Sequence, residues 1–387
     1  MYFRHYMIAN RSKLPGTGTT IFSVMSKLAE EHKAINLSQG FPDYDCDPKL
    51  IDLVSQAMKD GFNQYAPMAG VPALRELIAD KVETLYNATY SPETEITVTA
   101  GGTQAIFTAL TATIQPGDEV IIFEPAYDSY APTIRLLGGL VKSYEMVPPD
   151  YEIDWDMVKK LFSSSTKMII LNSPQNPTGH TLTEKDIDAL IKLVKGTDVL
   201  ILSDEVYEHL VYDGKKHLSM AAYPELKERS FIVASFGKLL HATGWKTGYC
   251  IAPANLMQEF RKIHQFNVFS VNTPMQVAVT SYLADPSVYM GLSAFFEEKR
   301  NLFRSLMSET KFKLLPCNGS YFQCVTYEKI GEDSDTDMAM RLITEAGVAS
   351  IPVSAFYTRN TDHKVLRFCF AKKQETLEIA VERLMKL

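Results

Sequence analysis

From Ile96 to about Pro253 the chain alternates short β-branched runs with helical segments: ITVTA, EVIIFEP, LVKSYEM, KMIILNS, DVLILSD, FIVASF and TGYCIAP. Strands buried on both faces read as continuous apolar runs, and their alternation with helices predicts an α/β fold with a mostly parallel sheet covered by helices on both sides. Ligands of such sheets gather at the carboxyl ends of the strands, so the residues that close each run are the first candidates for function. Around this block the chain shows a helical apolar spacing over Thr19 to Lys33, carried by Ile21, Phe22, Met25 and Leu28. A long charged helical stretch comes after Pro286, then strands near FKLLPC and VLRFCFAK and a final helix near Thr376 to Leu387. This predicts a large domain over 46–284 and a smaller, discontinuous α+β domain from 1–45 with 285–387.

With 387 residues and 46% apolar content the chain can fill a large core. Its net charge of -7, with no local cluster of Lys and Arg, excludes the electrostatic footprint of a nucleic-acid binder. The five cysteines (Cys46, Cys250, Cys317, Cys324, Cys369) are odd in number and irregular in spacing, so neither a disulfide framework nor a metal site is expected. A reducing cytoplasm fits them. Met1 to Lys13 is charged and lacks an apolar core segment, and no apolar run reaches membrane-spanning length, so neither export nor membrane insertion is expected.

The segments that fall at strand ends are AGGTQA, EPAYDSY, NSPQNPTG, SDEVYEH and SFGKLLHATGWKTGY. Their co-occurrence in this order, from NLSQGFPD through YFQ to RFCFAKK, resembles the fold-type I aminotransferases, and within them the methionine, glutamine and kynurenine aminotransferase subgroup. The resemblance implies pyridoxal 5'-phosphate (PLP) as cofactor and an amino acid and a 2-oxo acid as substrates, reacting in two half-reactions at one site with ping-pong kinetics.

It also assigns residues. Lys238 in SFGK stands where the family holds the lysine that bonds the cofactor; a neutral amine there can afterwards take the substrate Cα proton, and desolvation favours that neutral form. Asp204 ends an apolar strand, an expensive place for a carboxylate without a charged partner, and the resemblance supplies the protonated pyridine nitrogen. An N-cap for a helix beginning near Glu205 is the plain alternative. Tyr207 and Asn176 match the groups that hydrogen-bond the cofactor's phenolic oxygen, Asn176 also serving the substrate, although one could be a core aromatic and the other a turn residue before proline. Tyr127 matches the aromatic stacked on the pyridine ring, where simple packing is the alternative.

For the phosphate, Gly102, Thr103 and Gln104 open a helical run whose first amides can face an anion, and Ser235 and Lys246 add a hydroxyl and a charge. Many relatives carry Arg where Lys246 stands. Tyr65 resembles the tyrosine that reaches the phosphate from a neighbouring subunit, which implies a homodimer with shared sites. Arg367, on an apolar strand, matches the arginine that clamps the substrate carboxylate; a structural salt bridge is the alternative. Gly40 lets the backbone approach the same carboxylate. Phe22, Tyr127 and Phe269 are expected to form an apolar wall of the side-chain pocket. No Arg occurs between Arg261 and Arg300, where aspartate-type relatives place a second arginine, and Ser270 stands where some kynurenine-preferring relatives have His. The expected donor is therefore methionine or an aromatic amino acid. A cysteine-conjugate C–S β-lyase on the same scaffold, and a glutamine- or kynurenine-preferring transaminase, are the alternatives. A non-catalytic PLP-binding regulator wants an appended DNA-binding module that the chain lacks.

Overall fold

The computed structural model describes residues 11–387; Met1–Asn10, most of the charged N-terminal stretch, lie outside the described residues. The runs read as strands form one seven-stranded sheet in the order Ile96–Thr99, Gly248–Ile251, Ser230–Ser235, Leu200–Asp204, Thr166–Asn172, Glu119–Glu124, Leu140–Glu145. Neighbours are parallel except Gly248–Ile251, which runs antiparallel to both of its partners. Residues 236–247 hold only the short helix Phe236–Leu239 and one further turn, with no helix that returns the chain along the length of the sheet. The chain therefore reverses, and Thr99, Ser235 and Gly248 come side by side at one end of the sheet.

Alternate residues of each strand feed different cores. Val120, Ile122, Met168, Ile170 and Leu202 pack with the helix Gly102–Thr113, whereas Ile121, Phe123, Ile169, Leu171 and Ile201 face the other side. Burial on both faces is what the continuous apolar runs require. Leu140–Glu145 is the half-exposed edge strand, as its polar residues Lys142, Ser143 and Glu145 permit.

The helix Ile21–Glu31 is N-capped by the Thr20 hydroxyl and buries Met25 and Ala29. The next segment, Ile35–Asn36, pairs in parallel with Val348–Ala349, which ties the N-terminal segment to the C-terminal one. A second sheet, order Ile351–Pro352, Val365–Cys369, Phe322–Thr326, Lys313–Leu314, is antiparallel throughout. The charged stretch after Pro286 is two helices, Ser287–Met290 and Leu292–Met307, and the last helix is Gln374–Leu384. No helix among the described residues is long and apolar enough to cross a membrane.

Candidate active site

A cavity of about 290 Å³ opens where the carboxyl ends of the large sheet meet the strand Val365–Cys369. Of the residues singled out from sequence, Phe22, Gly40, Gly102, Thr103, Tyr127, Asn176, Asp204, Tyr207, Ser235, Lys238, Lys246 and Arg367 all line it.

Lys238 comes just after the strand Ser230–Ser235, on the short helix that starts the reversal. Its Nζ donates to the Gly40 carbonyl at 3.1 Å and to the Tyr321 hydroxyl at 2.9 Å, and sits 5.6 Å from the centres of both the Tyr207 and Tyr321 rings. Burial brings its pKa down to about 8, with the nearby Arg367 and Lys246 cations acting in the same direction and Cys369 and Asp204 opposing them. Near neutrality a usable fraction of the amine is uncharged.

Asp204 ends the strand Leu200–Asp204, and the chain then enters a turn through 206–209, so it caps no helix. One carboxylate oxygen accepts from Tyr130 Oη at 2.6 Å and the other from the Val206 amide at 3.3 Å. No cation bonds it among the described residues. Burial consequently pushes its pKa up to about 6, against the lowering effect of those two hydrogen bonds and of Lys238. A carboxyl group whose folded pKa exceeds the unfolded value near 3.9 weakens the fold as pH rises through that window, because the folded state holds its proton longer. Asp204→Asn is thus expected to raise the stability of the cofactor-free chain by about 1–3 kcal/mol near pH 7 and to leave it unchanged near pH 4. Chemical denaturation at the two pH values checks this; an equal effect at both would contradict it.

Arg367 lies in the middle of its antiparallel sheet, opposite Cys324 and Ile351. The guanidinium is fully buried, yet its hydrogen bonds go to neutral oxygens, Asn176 Oδ1 and the Ser38 carbonyl, each at 2.6 Å. Its Nε has no hydrogen-bond partner among the described residues. Three aromatic rings flank it: Phe322 at 3.9 Å, Phe22 at 5.3 Å and Phe356 at 5.5 Å. The structural salt bridge considered from sequence is absent among the described residues, so this cation keeps its capacity for an anionic ligand. Asn176 is itself set by Asn172, whose Oδ1 accepts from the Asn176 amide at 2.8 Å. With the Asn176 oxygen committed to Arg367, its NH₂ is the group left to donate.

At the cavity floor the chain turns into the helix Gly102–Thr113 at Gly101, whose φ of +83° suits glycine. No side chain caps this helix, and its first amides are free to bind an anion. Thr103 Oγ1 and Tyr127 Oη lie 3.1 Å apart over it. Lys246 comes in from the antiparallel strand's start, with its side chain beside Gly101.

Three of the residues singled out from sequence do not put their side chains into this cavity. The Gln104 side chain turns away: its Oε1 accepts from the Ala100 amide at 3.0 Å and its Nε2 bonds Thr108 at 2.6 Å, so only its backbone amide can serve a phosphate. Phe269 does not wall this cavity with Phe22 and Tyr127; it is 47% exposed and packs edge-on against Tyr65, ring centres 5.3 Å apart. Tyr65 is 81% exposed and likewise outside the cavity of its own chain. Conversely, sequence reasoning gave no role to Tyr130, Asn172 or Tyr321, although all three lie in or beside the motifs EPAYDSY, NSPQNPTG and YFQ.

The aminotransferase class I and II family profile matches residues 32–384. The chain is 47% identical to a methionine aminotransferase of Escherichia coli, over 97% of this chain and 98% of that one. It is 33% identical to kynurenine–oxoglutarate transaminase 1 of Mus musculus, over 96% of each. A crystal structure of an Escherichia coli protein with an identified methionine aminotransferase function superposes with a TM-score of 0.96 at 46% identity, covering 98% of this chain and all of that one. Cavity, fold and relatives agree: the chain belongs to the class I and II aminotransferases, enzymes of the PLP-dependent fold type I.

Proposed function

We propose that the chain transfers the amino group of an L-amino acid, methionine or an aromatic one, to a 2-oxo acid, with PLP held by the residues of this cavity. The observation that carries the reading is one of charge. A buried amine and a buried carboxylate, neither bonded to an opposite charge, face one cavity whose floor is an uncapped helix N-terminus. Those groups fit PLP: Lys238 for its aldehyde carbon, Asp204 for its ring nitrogen, Tyr127 for the ring face, Tyr207 and the Asn176 NH₂ for its phenolic oxygen. The amides of Gly102 and Thr103, with Ser235 and Lys246, fit its phosphate. Bound PLP supplies an electron sink for the carbanion at the substrate Cα. Asp204 would hold the ring nitrogen protonated, so Asp204→Asn should also weaken PLP retention. Arg367 and the Gly40 backbone orient the substrate carboxylate, and Lys238 Nζ would take the proton from the donor's Cα and deliver it to the cofactor's C4′ carbon, with the transfer reversed in the acceptor's half-reaction. Because one cavity serves both half-reactions, the donor's product leaves before the acceptor binds.

The donor class rests on the cavity wall and on the relatives. Phe22 and Tyr127 line it, Phe22 packing on Phe356 at 5.7 Å. Arg261 and Arg300 are occupied elsewhere, by Thr97, Glu93 and Ile96 and by Asp213 respectively. An apolar side chain gains roughly 0.8 kcal/mol per buried methylene against such a wall, whereas an acidic one loses hydration without a partner. The methionine and kynurenine activities of the relatives support the same preference. kcat/KM for methionine or phenylalanine is expected to exceed that for aspartate at least about tenfold, which needs only about 1.4 kcal/mol of differential transition-state binding. Steady-state assays over a donor panel test this, and a preference for aspartate would refute the pocket assignment.

The exposed Tyr65–Phe269 pair, outside the cavity of its own chain, supports a homodimer in which each chain completes its partner's site. The pairing of Ile35–Asn36 with Val348–Ala349 supports a division into 46–284 and a discontinuous unit of 1–45 with 285–387. All five cysteines are free, which suits a reducing cytoplasm.

A further inference from the structure

Tyr321 takes no part in the cofactor and substrate contacts assigned to the other residues of the cavity. Its ring is fully buried at the start of the strand Phe322–Thr326, edge-on to Tyr207 with centres 5.1 Å apart. Its hydroxyl donates to the Gly40 carbonyl at 2.5 Å. With that proton committed, the phenolic oxygen can only accept from Lys238 Nζ, 2.9 Å away, and the Gly40 oxygen accepts from the same nitrogen at 3.1 Å. The free lysine amine therefore has a berth made of two acceptors. The berth is rigid: a Cβ at Gly40 would stand 2.7 Å from Phe322 Cζ, so the backbone there is wedged against the same strand that carries Tyr321.

A free amine is the state Lys238 must pass through in transamination, since substrate displaces it before the Cα proton moves. We propose that Tyr321 is a positioning residue that holds the released Lys238 amine and, by accepting its hydrogen bond, stabilises the ammonium formed when the amine takes the Cα proton. In that step the Cα–H bond breaks, an Nζ–H bond forms, and the electron pair left on Cα passes to the cofactor's electron sink. The inference rests on the proposed role of Lys238.

Two acceptors on Nζ favour its charged form, whereas burial and the cations of Arg367 and Lys246 disfavour it; Cys369 and Asp204 favour it, and the Tyr207 and Tyr321 ring faces do so as well. Tyr321→Phe keeps the ring and every other member of this set, and removes one acceptor. The lysine becomes a weaker base.

The test is the pH dependence of Lys238 acetylation by acetic anhydride in the full chain stripped of PLP, read by peptide mass spectrometry. The midpoint is expected near 8 in the unsubstituted protein and about one unit lower in Tyr321→Phe. In the PLP-loaded enzyme kcat should fall about tenfold, with KM for the donor changed less than about twofold. If Tyr321→Phe does not fold, 3-fluorotyrosine at position 321 supplies a weaker acceptor of nearly the same size and should lower the midpoint by a smaller amount. An unchanged midpoint in whichever variant folds overturns the proposal. A full-rate Lys238→Ala enzyme would instead overturn the role of Lys238 while leaving the midpoint shift intact, so the two failures are distinguishable.

Discussion

Replacing Lys238 by alanine is expected to reduce transamination by on the order of 10⁴-fold or more, while the chain stays folded and still takes up PLP without bonding it. The loss is large because the proposed function gives one nitrogen two jobs, bonding the cofactor and moving the Cα proton, and no other amine among the described residues reaches the same point of the cavity. Lys246, the other lysine there, lies against Gly101, at the end of the cavity proposed for the phosphate. Folding should survive because Lys238 donates only to Gly40 and Tyr321, and its removal relieves a buried, poorly compensated cation. Initial rates with donor and oxo acid, set beside a thermal melt and a PLP absorbance titration, check all three parts. Wild-type absorbance of a lysine-bonded cofactor in the variant would show that another residue carries the bond.

Lys81→Met is expected to lower stability by about 3–5 kcal/mol near neutral pH, with little of that through packing. Asp204 and Tyr207 face the cavity, and the intervening Glu205 and nearby Glu208 point behind it into a buried polar cluster. There Lys81 Nζ meets Glu208 Oε1 at 2.6 Å and Tyr249 Oη at 3.0 Å, Tyr86 donates to Glu208 Oε2 at 2.5 Å, and Glu205 meets His217 Nε2 at 2.8 Å. Burial alone would push the Glu208 carboxyl up, but Lys81 and His209, with hydrogen bonds from Lys81 and Tyr86, hold it well below the usual carboxylate range. A depressed carboxylate stabilises the fold above its unfolded pKa near 4.3, and that contribution fades as pH falls below it. The gap between wild type and Lys81→Met should therefore be widest near pH 7 and shrink below about pH 4. Adding Glu208→Gln should recover most of it, since the amide keeps a hydrogen-bonding group without a stranded charge. Denaturant titrations of the single and double variants decide the matter; a double variant no more stable than Lys81→Met would show that packing, not the uncompensated charge, is responsible.

The sequence carried the architecture because runs such as KMIILNS and DVLILSD are apolar enough to be buried on both faces, and because strand ends are where polar residues such as Asp204 and Lys238 then become conspicuous. Gln104 keeps its backbone amide for an anion but not its side chain, for a geometric reason: the first turn of a helix offers its amides in one direction and its side chains in several, and a glutamine within reach of the Ala100 amide and Thr108 is drawn back onto its own chain. Phe269 was assigned by chemistry alone, and apolar character does not say which cavity a ring joins. Tyr130 and Tyr321 left no signal beyond their motifs, since a buried tyrosine has the pattern of any core aromatic until its hydroxyl partner is known. The Lys81–Glu208 pair joins residues 127 positions apart and has no local signature at all.

The reversed strand Gly248–Ile251 also sets the order in which the molecule can be made. Ile96–Thr99 has a single neighbour in the sheet, and that neighbour is synthesised after every other strand of the sheet. Until it emerges from the ribosome, Ile96–Thr99 is an unsatisfied edge, and the glycine turn at Gly101 lacks the Lys246 that lies beside it at the end of the cavity proposed for the phosphate. A pairing so distant in sequence is slow to find. A nascent chain should thus gain its grip on phosphate only after residue 251 has cleared the exit tunnel, so that cofactor capture marks the completion of the large sheet.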